Sequence, residues 1–176
     1  KLFADDVKLN TRHKNDQRTD SLNYSLQKLI EWSKIWHIKI APHKSQSLYL
    51  GPKNSIRPYS INNVEIPIEN CVRDLGVFVD DKLSFKFHIS KMVQKAYFKS
   101  FQLLRVIKSK DIKTWSLAYK SYVIPLLEYA SETWNPKFQY LIFQIEKVQK
   151  FYTRTALWKC NGTKTSYENR LELFDL

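Results

Sequence analysis

Glycine, cysteine and long apolar runs are scarce in this chain of 176 residues. Its three glycines form no phosphate-binding run, which excludes a Rossmann or P-loop site. Its two cysteines cannot build a disulfide framework or a four-cysteine zinc site, so a secreted mini-protein and a zinc finger are excluded. No stretch approaches the roughly 20 apolar residues of a membrane span, and no apolar run like that of a signal peptide follows the first residues.

Basic and aromatic residues are abundant instead. Lys and Arg number 29 against 17 Asp and Glu, for a formal net charge of +12, and there are five Trp, ten Tyr and ten Phe. The 43% of hydrophobic residues suffices for a buried core. A basic, aromatic-rich chain points to a polyanionic partner, either nucleic acid or an anionic membrane face.

Sequence periodicity predicts an α+β chain in two parts. Residues 1–81 alternate in short strand-like runs around one helix, and residues 82–176 are helical throughout. The first part has a charge balance of +2 and the second a balance of +10. The predicted strands cover 45–50, 60–66 (with a turn signal at Asn62-Asn63) and 72–79, and the predicted helices cover 20–37, 85–107, 112 to Pro125, and 138–152.

Neither end of the chain resembles a native terminus, since termini usually fray into polar residues. The chain starts at Lys1 in a strand-like run without a methionine, and it stops at Leu176 inside an apolar-periodic pattern. We therefore expect a fragment that is cut at both ends.

The adjacent carboxylates of Asp5 and Asp6 are the most informative pair in the chain. Strand-forming residues flank them on both sides, which predicts a strand, a tight turn carrying the two acids, and a second strand. Two like charges this close repel each other, and a Mg²⁺ ion with oxygen ligands would relieve that repulsion. A solvated Asp-Asp turn is the alternative interpretation, because Asp is among the commonest turn residues.

The stretch Phe3-Ala4-Asp5-Asp6 resembles the aromatic-x-Asp-Asp motif of reverse transcriptases. Further blocks resemble the non-LTR (LINE-type) retrotransposon branch in order and spacing, and together they cover nearly the whole chain. A group II intron maturase or telomerase-like relative is a weaker alternative, because the match continues well beyond residue 110. The blocks are 26–32 with Trp36 and Lys44-Ser45, 74–80 with 83–85 and 88–89, 122–131 with 134–136, and 145–151 with Thr153-Arg154.

The resemblance implies the C-terminal part of a right-hand polymerase palm, with a primer-grip hairpin, in residues 1–81. It implies a basic helical thumb and its downstream connection in residues 82–176. The implied activity is RNA-directed DNA polymerisation, a nucleotidyl transfer that uses an RNA template, a DNA primer and deoxynucleoside triphosphates. Asp5 would be the principal ligand of two Mg²⁺ ions and Asp6 a supporting one. The family's other metal-binding Asp would lie upstream of Lys1, so we expect the isolated chain to be inactive.

The resemblance also implies roles for Lys44 and for the turn Leu75-Gly76. Lys44 would lie near the incoming nucleotide, where its ammonium could neutralise triphosphate charge or protonate pyrophosphate; a solvated surface lysine is the alternative. Leu75-Gly76 would form a tight hairpin that presses backbone onto the primer end, and a plain β-turn explains the same residues. The expected setting is intracellular, as a ribonucleoprotein in the nucleus or the cytoplasm.

A basic run with almost no carboxylates marks the predicted helix 85–107. Nine Lys or Arg and a single acid lie between residues 82 and 113. Lys91, Lys95 and Lys99 recur at intervals of four and therefore fall on one helical face. We predict that this face contacts the phosphates of an RNA–DNA hybrid without sequence preference. A solvated face is the alternative, although such faces usually interleave Glu.

Spacing predicts packed positions for six aromatic residues and no site for the histidines. Trp32 and Trp36, four residues apart, predict packing of a helix against a sheet. The four histidines lack metal-ligand spacing and are assigned no role. Four aromatic residues of the second part recur at helical spacing, which favours core positions over base-stacking platforms: Trp115, Tyr119, Tyr122 and Tyr129.

A non-catalytic basic module that binds RNA, from a decayed or repurposed element, is the rival interpretation of these features. Such a module would keep the basic helix without the polymerase chemistry. An intact Asp-bearing palm strand encoded upstream of Lys1 would favour the enzyme, and a nearby start or stop codon would favour the binding module.

Overall fold

The chain forms two compact units. Unit 1 comprises Lys1–Val72 with Asp80–Leu83, and unit 2 comprises Arg73–Val79 with Ser84–Leu176. The sequence predicts a division near residue 81, whereas the structure assigns the segment Arg73–Val79 to the helical unit. This structure is a computed structural model that describes residues 2–3, 6–11, 19–51 and 57–176.

Unit 1 combines one long helix with short strands. Helix α1 spans Thr19–Ile35, and a 3-10 turn covers Pro42–Lys44. Strand β1 pairs with β2 and β4 with β5 in antiparallel fashion, and β3 pairs with β6 in parallel. Tyr59, Ile61 and Ile66 form a small buried cluster that packs against α1. The strands are β1 (Leu2–Phe3), β2 (Asp6–Val7), β3 (Ser47–Leu48), β4 (Ser60–Ile61), β5 (Val64–Glu65) and β6 (Ile68–Glu69).

The predicted turn at Asn62-Asn63 is confirmed, and it divides the run that the sequence predicts as one strand. Asn62 has φ 49° and Asn63 has φ 63°. Positive φ at both central positions is the geometry of a type I′ hairpin turn, which Asn tolerates better than most residues. The segment 60–66 is therefore a hairpin of β4 and β5 and not a continuous strand.

Unit 2 consists of the turn-side part of a further hairpin, Arg73–Val79, and the helices that follow it. The predicted helices over 85–107 and from 112 toward Pro125 are confirmed, and the helix predicted over 138–152 extends to Asn161. Strands β7 (Cys71–Asp74) and β8 (Val77–Asp80) pair with each other. The helices are α2 (Lys86–Val106), α3 (Ile112–Tyr122), α4 (Ile124–Glu128), α5 (Ser131–Trp134), α6 (Gln139–Asn161) and α7 (Tyr167–Phe174).

Asp111, the single acid between residues 82 and 113, has a local structural role. Its carboxylate accepts hydrogen bonds from the backbone N–H groups of Lys113 and Thr114, both at 3.2 Å. These two bonds satisfy N–H groups that would otherwise lack partners at the start of α3, and they lower the pKa of Asp111. The remaining charge of this segment is entirely positive.

The core of unit 2 lies between α2, α3 and α6, with Val77 of the hairpin included. Trp115 and Tyr119 are completely buried there, as the sequence predicts. No helix in the described part of the chain is long and apolar enough to cross a membrane.

Burial was wrongly predicted for four other aromatic residues. The rings of Tyr122 and Tyr129 are more than half exposed, and Trp32 and Trp36 on and just after α1 are also exposed. Helical spacing shows that these residues share a face, but it does not show whether another element covers that face.

Candidate nucleic-acid interface

The hairpin of β7 and β8 turns at Leu75-Gly76, the pair for which the resemblance implies a tight hairpin, so the single strand predicted over 72–79 is wrong. Leu75 has φ 46° and Gly76 has φ 90°, so this two-residue turn has positive φ at both positions. Gly adopts this conformation without a steric penalty, whereas Leu is strained in it by about 1–3 kcal/mol. Leu75 is also about half exposed at the tip. A strained, exposed apolar residue at a hairpin tip is typical of a contact surface.

Tyr129 holds this turn from outside the hairpin. Its phenolic O–H donates a hydrogen bond of 2.8 Å to the carbonyl oxygen of Leu75. A Cβ placed on Gly76 would lie 3.2 Å from Cε1 of Tyr129, closer than ordinary van der Waals contact. Position 76 therefore requires glycine for its φ angle and also for the closeness of the Tyr129 ring.

His88, in the first turn of α2, anchors the strand that leaves the turn. Its Nδ1 accepts a hydrogen bond of 3.3 Å from the backbone N–H of Phe78. The imidazole is buried and lies 5.4 Å from the ring of Trp134, and its Nε2 has no hydrogen-bond partner among the described residues. The sequence assigns His88 no role, so this function was missed. His88 lies four residues before Met92 in α2, so the two share a helix face, and this spacing could have predicted that His88 is buried.

A cleft of about 310 Å³ lies beside the hairpin within unit 2, and we name it the hairpin cleft. Its wall carries three basic side chains and, among the described residues that line it, no carboxylate. A concave surface with positive charge alone raises the local concentration of anions. The cleft is lined by Arg73, Gly76, Phe78, His88, Lys91, Met92, Lys95, Pro125, Leu126 and Tyr129.

The structure thus brings two of the three predicted helix lysines beside the predicted turn. Lys91 and Lys95 are exposed and line the hairpin cleft, and the Lys91 ammonium lies 5.5 Å from the centre of the Phe87 ring. Lys99 is half-buried and does not line the cleft. Arg73, which the sequence does not single out, supplies the third positive charge.

The other predicted site residues belong to unit 1. Asp6 is exposed on β2, while Asp5 lies outside the described residues. Lys44 is exposed at the end of the 3-10 turn, where its backbone N–H bonds to the carbonyl of Ala41 at 3.1 Å. The described residues include no group of three His, Cys, Asp or Glu that could hold a metal ion. Asp6 alone does not complete a Mg²⁺ shell, so we derive no catalytic step from it.

His88 is expected to make the stability of unit 2 sensitive to pH. Burial, with a smaller effect of the Lys95 ammonium, lowers the pKa of His88 below its ordinary value near 6.5. As the pH falls through 6.5 the unfolded chain binds a proton that the folded chain does not, so the free energy of unfolding falls. The slope is at most about 1.4 kcal/mol per pH unit, and it ends below the folded-state pKa.

The variant His88→Asn tests this expectation, because its amide oxygen keeps an acceptor near the Phe78 N–H without titrating. Urea unfolding at about pH 7.5 and about pH 5.5 should show a larger loss of stability in the wild type than in the variant. Equal losses in the two proteins would contradict the assignment.

Two known proteins are similar to this chain. An uncharacterized protein of Caenorhabditis elegans is 41% identical over 107 residues, which cover 61% of this chain and 54% of that protein. The "Probable RNA-directed DNA polymerase from transposon X-element" of Drosophila melanogaster is 24% identical over 157 residues, which cover 86% of this chain and 17% of that protein. The chain therefore spans about half of the first relative and about a sixth of the second.

No family model matches the sequence, and no solved structure matches the fold significantly. The similarity to the fly protein extends over most of this chain but over a short part of that polymerase. The chain is thus distantly similar to one portion of a transposon RNA-directed DNA polymerase.

Proposed function

We propose that this chain is the palm-to-thumb portion of an RNA-directed DNA polymerase of a non-LTR retrotransposon. In this proposal the hairpin cleft of unit 2 binds the backbone of an RNA–DNA hybrid near the primer end. The distant similarity to a transposon polymerase supports the origin. The observation that carries the binding proposal is that Gly76 of the turn lines the same cleft as Arg73, Lys91 and Lys95.

The chemistry of the cleft matches a phosphate backbone. Lys91 and Lys95 are one helical turn apart, so their Cα atoms are separated by about 6 Å along the axis. Successive phosphates of a nucleic-acid strand are separated by a similar distance, so each ammonium could contact its own phosphate. Arg73 adds a planar guanidinium that can bind a phosphate through two N–H groups. Such contacts bind the phosphate backbone and do not depend on the base sequence.

Within the whole polymerase, the proposal assigns metal binding to Asp5 and Asp6 and a contact with the incoming nucleotide to Lys44. These roles rest on the resemblance of the aromatic-x-Asp-Asp motif and of the block around Lys44. The exposure of Asp6 and Lys44 is compatible with contact to a metal ion or a triphosphate.

Replacing both cleft lysines should weaken binding to a hybrid strongly and reduce its dependence on salt. For Lys91→Gln/Lys95→Gln, loss of two phosphate contacts reduces the slope of log K against log salt by roughly 2 units, at about 0.9 per contact. We expect the affinity to fall more than about tenfold near 0.1 M salt. Fluorescence anisotropy of a labelled RNA–DNA hybrid in a salt series measures both quantities.

A charge-matched control separates the cleft from the general positive charge of the protein. Lys113 and Lys147 are exposed lysines of unit 2 that do not line the hairpin cleft. The variant Lys113→Gln/Lys147→Gln has the same net charge as the cleft variant but should keep most of the affinity and slope. Lys99→Gln should also have a smaller effect than either cleft lysine. If the cleft variant and its control lose affinity equally, the hairpin cleft is not the binding site.

Duplex preference distinguishes the polymerase portion from the rival RNA-binding module. A thumb that holds a primer on its template should bind an RNA–DNA hybrid at least as well as duplex RNA of the same sequence. A clear preference for duplex RNA, lost in the Lys91→Gln/Lys95→Gln variant, would favour the non-catalytic module.

A further inference from the structure

A second concave surface lies where α6 ends and α7 begins, and we name it the α6–α7 pocket. Its volume is about 370 Å³, and it shares no lining residue with the hairpin cleft. Arg154, Lys164 and Arg170 line it together with Trp158, and no carboxylate occurs among its described lining residues. A pocket of this size accommodates one nucleotide.

Hydrogen bonds fix the loop that forms one wall of the pocket. The side-chain oxygen of Asn161 accepts from the backbone N–H of Thr163 at 3.1 Å and from its hydroxyl at 2.7 Å. Arg170 donates from Nη1 to the carbonyl of Thr165 at 2.7 Å and from Nε to the hydroxyl of Thr153 at 3.3 Å. The loop is thus tied to both α6 and α7, and Arg170 acts mainly as its support.

The ligand-accessible groups of the pocket are one aromatic ring and two cations. Trp158 follows Arg154 by four residues, so both lie on one face of α6. The indole is 56% exposed, although a side chain of this size usually finds cover in a folded chain. Arg154 and Lys164 are exposed beside it. An open aromatic face flanked by cations is the arrangement that binds unpaired bases and their phosphates.

We propose that the α6–α7 pocket binds single-stranded nucleic acid, with one base stacked on Trp158 and the flanking phosphates at Arg154 and Lys164. The ligand must be unpaired, because only an unstacked base can present its face to the indole. The binding tolerates any sequence, since every base has such a face. This inference rests on the proposed nucleic-acid binding and adds a second, separate site, which binds a single strand and not an RNA–DNA hybrid.

Binding of labelled decauridylate to the whole chain tests the pocket. Loss of a stacking ring by Trp158→Ala should weaken the affinity by about 5- to 150-fold, and Trp158→Phe should restore most of it. Trp36 is a similarly exposed tryptophan that lies in unit 1, so Trp36→Ala is the matched control and should bind like wild type. Arg154→Gln/Lys164→Gln should reduce the salt slope by about 1.4, at about 0.7 per contact on a single strand.

A covalent map locates the bound strand and separates the two proposals. Photo-crosslinking of a 5-iodouridine oligonucleotide should label the tryptic peptide 155–159, which contains Trp158. Trp158→Ala should leave the affinity and salt slope for an RNA–DNA hybrid unchanged. If Lys91→Gln/Lys95→Gln binds the hybrid like the wild type, the proposal for the hairpin cleft fails, but the effect of Trp158→Ala on decauridylate binding still tests the α6–α7 pocket. Wild-type decauridylate binding by Trp158→Ala, or crosslinks confined to other peptides, would overturn the inference.

Discussion

Replacing Trp115 with alanine is expected to lower the free energy of unfolding of unit 2 by about 3–5 kcal/mol. Trp115 is completely buried, and its indole N–H donates a hydrogen bond of 3.0 Å to the carbonyl of Ser109. The truncation removes a large apolar surface, leaves a cavity, and leaves that carbonyl without its donor. Because small domains are stable by only about 5–15 kcal/mol, this change brings the unit close to unfolding.

The expected loss is large because Trp115 is part of a group of three buried aromatic rings. The Tyr152 ring lies 6.3 Å from that of Trp115 in an edge-to-face arrangement, and the Tyr119 ring lies 4.7 Å from that of Tyr152. The Tyr152 O–H also donates to the backbone carbonyl of Trp115 at 3.0 Å. Burial raises the pKa of both tyrosines, so each stays neutral across the physiological range.

Urea unfolding followed by far-ultraviolet circular dichroism measures this loss. Trp115→Phe keeps most of the volume and should lose clearly less stability than Trp115→Ala. Trp158→Ala removes the same number of atoms from an exposed site, so it should change stability by no more than about 0.5 kcal/mol. A loss below about 1 kcal/mol for Trp115→Ala would show that this ring is not central to the core.

Local periodicity predicted the helices of unit 2 and part of its core. The apolar spacing that identified Trp115 and Tyr119 depends only on residues within a few turns of one helix, so the sequence contains it directly. The same spacing was wrong for Tyr122 and Tyr129, because burial also requires a second element to cover the face. Contacts between distant parts of the chain determine which element covers a helix face, and local periodicity contains no information about those contacts.

The candidate site, like the core, could be predicted only in part from local sequence. Alternation alone predicted one strand over 72–79, and only the resemblance to reverse transcriptases pointed to the turn at Leu75-Gly76. Its partner Tyr129 is 54 residues further along the chain, so their hydrogen bond could not be predicted from spacing. Lys91 and Lys99 occupy equivalent positions in the sequence pattern, yet Lys91 lines the hairpin cleft and Lys99 does not. Which lysine lines a concave surface depends on how the hairpin packs on α2.

Replacing Gly76 with valine is expected to destabilise unit 2 by about 2–4 kcal/mol and to abolish tight binding of an RNA–DNA hybrid. A β-branched residue is strongly disfavoured at φ 90°, and its Cβ would lie 3.2 Å from the Tyr129 ring. The turn must open or Tyr129 must move, and either change disturbs the wall that carries Lys91 and Lys95. Urea unfolding and hybrid anisotropy measure the two effects.

Gly162 provides a matched control within the same unit. It also has positive φ, at 68°, but a Cβ placed there would meet nothing within 4 Å. Gly162→Val therefore introduces backbone strain without a clash, so it should cost less stability than Gly76→Val and leave hybrid binding intact. The further variant Gly76→Val/Tyr129→Ala removes the obstructing ring and should recover part of the stability lost, although it also removes the bond to Leu75. If Gly76→Val binds the hybrid as tightly as the wild type, the geometry of this turn is not part of the interface.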